Sequence, residues 1–295
     1  MIAVDGLVKR YGAATAVDGL SFTARPGRVT AFLGPNGGGK TTTLRVLLGL
    51  ARADAGSATV DGVAYAALPR PLERVGAVLE AAAAFHPGRT ARDHLRVLCA
   101  ASGIPAGRAG EVLAMLGLED HGGRRVGGFS LGMRQRLALA AALLGDPGVL
   151  VLDEPANGLD PAGIRWLREM LRALAAQGRT VLVSSHVLSE VAQTVDDVVI
   201  IARGRLVRAA TLDALLAEAR RELRVRSPDA AALAAALEGM GALVTRDGDG
   251  ALSVDGVDAE RVGDLCRDRG WALHELAPSV ERLEDVFLRL VEEAA

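Results

Sequence analysis

Residues 34–42 read Gly34-Pro35-Asn36-Gly37-Gly38-Gly39-Lys40-Thr41-Thr42. They follow the apolar run Val29–Leu33 and lead into a helix pattern from Lys40 to Leu50. The stretch fits G-x-x-x-x-G-K-[ST] in the strand-then-helix context the pattern requires. Its physics is direct. Glycines let backbone N–H groups close around phosphate oxygens, and a helix N-terminus adds positive potential. Of the chain's 34 basic residues only two are lysine, Lys9 and Lys40. A compact ammonium and a planar guanidinium are not interchangeable, so a lysine kept in an arginine-biased chain points to a task arginine cannot perform.

Working outward, the first 220 residues alternate strand-like and helix-like segments. Ile2–Val8, Ala16–Ala24, Thr59–Val63, Val75–Leu79, Val149–Leu152, Thr180–Ser184 and Val198–Ala202 read as strands, and Ala162–Ala176 carries a helical apolar stripe. From Arg92 to Leu144 apolar residues recur at three- and four-residue spacings, a helical block within the strand alternation. The pattern predicts an α/β domain over 1–220 with a central sheet and an inserted helical subdomain at about 81–145. Residues 221–295 follow β-α-β-β-α-β order, resembling a small ferredoxin-like unit, with strands at Glu222–Arg226, Ala242–Arg246, Ala251–Val254 and Ala272–Leu276 and a last helix from about Ser279. The residues leave open whether this second domain pairs chains, regulates them or only packs.

The glycine loop predicts a P-loop NTPase fold, with Gly34, Pro35, Asn36, Gly37, Gly38, Gly39, Lys40, Thr41 and Thr42 on the phosphates. Lys40 is expected at the β- and γ-phosphates of ATP and the Thr41 hydroxyl on Mg²⁺. The buried run Val149–Leu152 ends in Asp153 and Glu154. A strand end beside a phosphate loop places Asp153 for the metal and Glu154 to orient or deprotonate the attacking water.

Further residues identify a family. Phe129-Ser130-Leu131-Gly132-Met133-Arg134-Gln135-Arg136 resembles the signature sequence of ABC ATPases, with Leu131 and Met133 where glutamine-containing LSGGQ forms have glycine and glutamine. The S-L-G-M-x-Q-R form is similar to antibiotic-export and bacitracin-resistance types. The resemblance implies that Ser130, Gly132 and Gln135 cap the ATP of a second subunit. Asn157-Gly158-Leu159-Asp160 resembles the D-loop, so Asp160 is expected near that subunit. His186 is similar to the switch histidine on the γ-phosphate, and Tyr11 to the aromatic residue that stacks on adenine. Glu80 stands where the family carries a glutamine, as in the bacitracin type. It is expected near the metal or at the coupling surface. Mixed-sheet architecture with an antiparallel β segment is part of the same implication.

Bulk properties narrow the class. Net charge is −2, without the basic surplus of nucleic-acid binders. Cys99 and Cys266 form neither a disulfide framework nor a zinc pattern and read as small apolar residues. Mean hydropathy is +0.24, but no apolar run reaches the ~18–20 residues of a membrane span. The expectation from these properties is a cytoplasmic protein, and the resemblance implies an ATPase peripheral on the inner membrane face through an integral permease, working as a homodimer or heterodimer to export a drug, antibiotic or other amphipathic compound. The alternatives are a non-transport ABC protein and a regulatory ABC-type ATPase. His86, His94, His121 and His274 read as surface or satisfied residues, and Trp166 and Trp271 as packing.

Overall fold

The computed structural model describes residues 1–79, 85–186, 192–219, 221–248, 250–281 and 283–293. Two compact units emerge: Met1–Asp213 with Phe287–Ala295, and Ala214–Val286. Glu80 and the first residues of the expected helical subdomain lie outside the described residues.

In the first unit, β1 (Ile2–Tyr11), β2 (Ala14–Ala24) and β4 (Ala55–Val60) form an antiparallel sheet in the order β2-β1-β4. A second sheet has the order β5-β6-β7-β3-β8-β9, from β3 (Val29–Leu33), β5 (Val75–Val78), β6 (Val149–Asp153), β7 (Thr180–Ser185), β8 (Asp197–Ala202) and β9 (Arg205–Thr211). All neighbours are parallel except β9, which runs antiparallel to β8. The parallel strands are apolar almost throughout, as strands covered on both faces must be. One core joins the two sheets, with Phe22 stacked on Phe32 at 5.0 Å between ring centres.

Helix α1 (Lys40–Leu47) follows β3, and the short α2 (Pro71–Arg74) precedes β5. Between β5 and β6 stand α3 (Ala91–Ser102), α4 (Arg108–Met115) and α5 (Leu131–Ala142). Thr90 caps α3 by accepting from the Asp93 N–H, and Arg108 reaches the Leu144 carbonyl just beyond α5 at 3.2 Å. A side chain at Gly76 would lie 2.2 Å from the Ala142 carbonyl, so only glycine lets α5 cross β5 this closely. Helix α6 (Pro161–Ala176) starts with Asp160 accepting from the Gly163 N–H. A short α7 (Leu212–Ala217) follows β9.

The second unit is antiparallel, in the order β11-β12-β10-β13, from β10 (Arg221–Arg226), β11 (Leu243–Arg246), β12 (Leu252–Asp255) and β13 (Glu275–Val280). Leu233 and Leu237 of α8 (Ala230–Gly239) and Val262 and Cys266 of α9 (Ala259–Arg269) close its core over Val225 and Val254. The last helix, α10, spans Leu283–Glu293.

Several expectations need correction. The strand expected at Ala272–Leu276 runs later, through Pro278, which pairs with Leu223. It is an edge strand, where proline's missing N–H costs no ladder bond. The strand expected at Thr59–Val63 ends at Val60 and begins at Ala55. Strand β9 was not expected at all; it is largely exposed and so carries no apolar pattern. His94 is neither exposed nor satisfied: it is buried, and its Nδ1 finds no hydrogen-bond partner among the described residues. Cys99 and Cys266 are buried free thiols, as read. No helix among the described residues is long and apolar enough to cross a membrane.

Candidate active site

The glycine loop turns at the C-terminal end of β3, where a parallel sheet opens a crevice. Gly38 donates to the Pro35 carbonyl at 3.0 Å, and Gly204, in the β8–β9 turn, donates to Gly38 at 3.1 Å. Gly39 has φ +102°, and a Cβ there would stand 2.5 Å from the Ala16 carbonyl. Residue 39 must therefore be glycine for both conformation and space. No side chain caps the start of α1, so its first N–H groups face the loop without partners from the helix itself.

Lys40 is 7% exposed, and its Nζ donates to the Gly34 carbonyl at 2.5 Å and the Pro35 carbonyl at 3.3 Å. Glu154 Oε1 lies 3.9 Å away. Burial pulls the ammonium's pKa below the usual lysine value, and the charges of Glu154 and Asp153 work against that fall. Thr41 Oγ1 donates to Asp153 Oδ2 at 2.9 Å. Thr41 and Asp153, 112 residues apart in sequence, thus present adjacent hard oxygens of the kind magnesium prefers.

Parallel pairing of β6 with β7 sets Asp153 beside Ser184. The buried Ser184 hydroxyl donates to Asp153 Oδ1 and accepts from the Glu154 N–H at 3.0 Å. One hydroxyl thus orients one carboxylate and the backbone of the next. The sequence reading passed over Ser184 because nothing in a serine pair at a strand end marks it; the strand register does. Glu154 itself has φ +48°, an uncommon left-handed conformation for a branchless acid at a strand end. Its Oε2 lies 2.9 Å from His186 Nδ1. A carboxylate and an imidazole in contact, beside a buried ammonium, can orient and accept a proton from a water at a phosphate.

Tyr11 sits at the tip of the β1–β2 hairpin, half exposed, with Lys9 Nζ 5.1 Å from its ring centre. Ser130 N-caps α5, its Oγ accepting from the Met133 N–H at 3.3 Å. Gly132 lies in the first turn of that helix, and Gln135 is buried within it. The hydrogen bonds of Ser130 remain within its own helix start. The structure thus gathers Lys40, Thr41, Asp153, Glu154 and His186 into one cluster and places Ser130 on a separate helix N-terminus.

Comparison with known proteins bears on this arrangement. Residues 17–157 match the family described as ABC transporter, and residues 221–284 match a domain of unknown function, DUF8746. The chain is 40% identical over 232 residues to the bacitracin transport ATP-binding protein BcrA of Bacillus licheniformis, covering 78% of this chain and 76% of that protein. It is 36% identical over 288 residues to Nod factor export ATP-binding protein I of Burkholderia orbicola, covering 96% and 94%. A solved ATP-binding subunit of an ABC transporter superposes with a TM-score of 0.67 at 28% identity, covering 74% of this chain and 92% of that one.

Proposed function

The chain belongs to the ABC transporter family as an ATP-binding, ATP-hydrolysing subunit, and from that premise we propose how its residues divide the work. The observation that carries the reading is the Lys40, Thr41, Asp153, Glu154 and His186 cluster at the ends of β3, β6 and β7. The amides of Gly37, Gly38, Gly39, Lys40, Thr41 and Thr42 hold the phosphates, with Gly34, Pro35 and Asn36 shaping the turn, and Lys40 leaves its carbonyl partners for the β- and γ-oxygens. Tyr11 offers its exposed ring to the adenine. Thr41 and Asp153 hold Mg²⁺, and Glu80 is a further candidate. Bound there, the ion would supply positive charge to offset the negative charge that develops on the phosphates.

Glu154 takes the proton of the attacking water or orients it, and His186 holds that carboxylate and the γ-phosphate. Two copies, or this chain and a related one, pair so that Ser130, Gly132 and Gln135 of each close over the other's ATP, with Asp160 at the shared surface. A helix N-terminus aimed at a phosphate makes this contact favourable. Closure drives an integral permease that the helical block of residues 81–145 contacts, which keeps the subunit at the cytoplasmic membrane face. The cargo we propose is an amphipathic antibiotic-like compound leaving the cell, supported by relatives named for bacitracin transport and Nod factor export.

The test is Glu154→Gln in the full-length chain. Phosphate release should fall by at least about a hundredfold, while ATP drives a stable dimer visible by size-exclusion chromatography. Normal turnover in that variant would refute the role given to Glu154.

A further inference from the structure

Leu131 opens α5 immediately after Ser130 and is 45% exposed. Its partner is a backbone. A Cβ added to Gly158 would lie 2.0 Å from Leu131 Cδ2 and 2.8 Å from its Cγ, so the leucine tip rests directly on the Gly158 main chain. The next pair reverses the roles. Leu159 Cδ2 would stand 3.6 Å from a Cβ on Gly132, and the same leucine covers Gly163, whose Cβ would lie 3.2 Å from Leu159 Cβ. Two leucines and two facing glycines therefore interlock the start of α5 with the loop between β6 and α6.

The loop is in turn tied to the main chain of Glu154, the residue that bears the carboxylate. The Asn157 N–H donates to the Glu154 carbonyl at 3.2 Å, and the Leu159 N–H to Ala156 at 3.1 Å. A second link holds the same two helices: the Arg136 guanidinium of α5 stacks 4.5 Å from the Trp166 ring centre of α6. Close-packed contacts of this kind hold one arrangement and transmit displacement.

We propose that Leu131 is a positioning residue that locks the Ser130 helix start to the Glu154 loop within one chain. The inference rests on the reading above, in which Ser130 serves the ATP of a second copy and Glu154 serves its own. The interlock then makes the two events one: seating Ser130 on the partner's nucleotide sets the angle of the carboxylate in the chain that carries both. The leucine at this signature position is thereby a coupling element.

Turnover, KM for ATP and Tm of the full-length chain test this in Leu131→Ala, Leu131→Met, Leu159→Ala and the Leu131→Ala/Leu159→Ala double variant. Because small misplacements of a reacting group are costly, Leu131→Ala should lower kcat roughly tenfold, with KM changed less than about twofold. Its Tm should hold within ~3 °C, since alanine suits a helix start exposed to solvent. Leu131→Met, which keeps reach and volume, should retain at least about half of the parent kcat. The double variant should lose no more than the worse single one, because both leucines serve one interlock. A Leu131→Ala kcat within about twofold of the parent, or losses that multiply in the double variant, overturns the proposal. So does a loss that tracks a fall in Tm and that methionine does not recover. Glu154→Gln with ATP is the control. If it stays monomeric, the two-copy reading fails and takes this inference with it. If it dimerises while Leu131→Ala turns over normally, the interlock alone is wrong.

Discussion

His186 Nδ1 lies 2.9 Å from Glu154 Oε2, across the gap between the ends of two parallel strands. Neither residue reaches the other through local sequence; 32 positions separate them. The contact exists because β6 and β7 are neighbours in register, and because Glu154 takes a left-handed backbone that turns its side chain toward β7. The same register delivers Ser184 to the two acids. The site is therefore as sound as the β6–β7 pairing, which is buried and apolar on both strands.

Ser184→Ala removes the hydroxyl that donates to Asp153 and accepts from the Glu154 N–H. Both acids lose a fixed partner, and the part-buried Glu154 N–H loses its acceptor. Turnover should drop by about ten- to a hundredfold, as for misoriented catalytic groups. ATP affinity, carried by the glycine loop, should change by less than about threefold. Phosphate-release kinetics and a fluorescent ATP analogue separate the two. Equal losses in both would show that Ser184 serves binding.

Lys40→Met replaces a buried ammonium by an apolar chain of similar length. In the folded chain burial lowers the Lys40 pKa, so between that lowered value and the ordinary ~10.4 the unfolded chain binds more protons. Stability tied to this group accordingly rises with pH across that window and is reduced below it. Methionine removes the penalty but takes the ammonium donor from the Gly34 carbonyl, while the Pro35 carbonyl keeps the Gly38 N–H. These effects oppose one another, and Tm at pH 7 should move by less than about 3 °C. ATP affinity should fall more than about tenfold, since a charged phosphate contact is lost. Calorimetric titration with ATP checks the second point, and an unchanged affinity would overturn the phosphate-loop assignment.

Gly39→Ala and Gly37→Ala should part company. Both glycines have positive φ, but a Cβ at Gly39 meets the Ala16 carbonyl at 2.5 Å while one at Gly37 meets nothing within 4 Å. Gly37→Ala should cost about 1 kcal/mol, the price of a left-handed alanine alone. Gly39→Ala should cost upwards of about 2 kcal/mol, because a backbone carbonyl must also shift. Urea melts of both variants give the comparison, and equal costs would mean the β2 contact yields freely.

His94 provides a pH signature remote from catalysis. Burial pushes its pKa below the usual histidine value, and the Arg89 charge adds to the effect. The Phe85 ring packs edge-on at 4.9 Å. Between the lowered folded value and the unfolded ~6.5 the unfolded chain binds more protons, so stability rises with pH through that window and falls as the medium is acidified below ~6.5. A Tm series from pH 5 to 8 should show this loss in the parent. His94→Leu should flatten it, and an identical slope in both chains would assign the loss to other groups.

Much was legible along the chain because period and spacing are local. Strands such as Val29–Leu33 and the α9 span Ala259–Arg269 were found where their apolar patterns put them. The glycine loop and the Asp153-Glu154 strand end carried the chemistry in residue type alone. Where pattern was weak the reading slipped: exposed β9 was missed, and β13 was placed too early, because the half-exposed edge strand through Pro278 carries no clean alternation.

The sequence by itself determined the kind of machine, since a glycine turn, a lysine and two acids at strand ends have few other uses together. It also determined where most strands and helices lie, because hydrophobic periodicity is a property of neighbours along the chain. Only the tertiary structure decided which of those parts touch. Ser184 orders both acids, Thr41 meets Asp153, and Leu131 sits on Gly158, because strand register and close packing join residues that the chain keeps far apart.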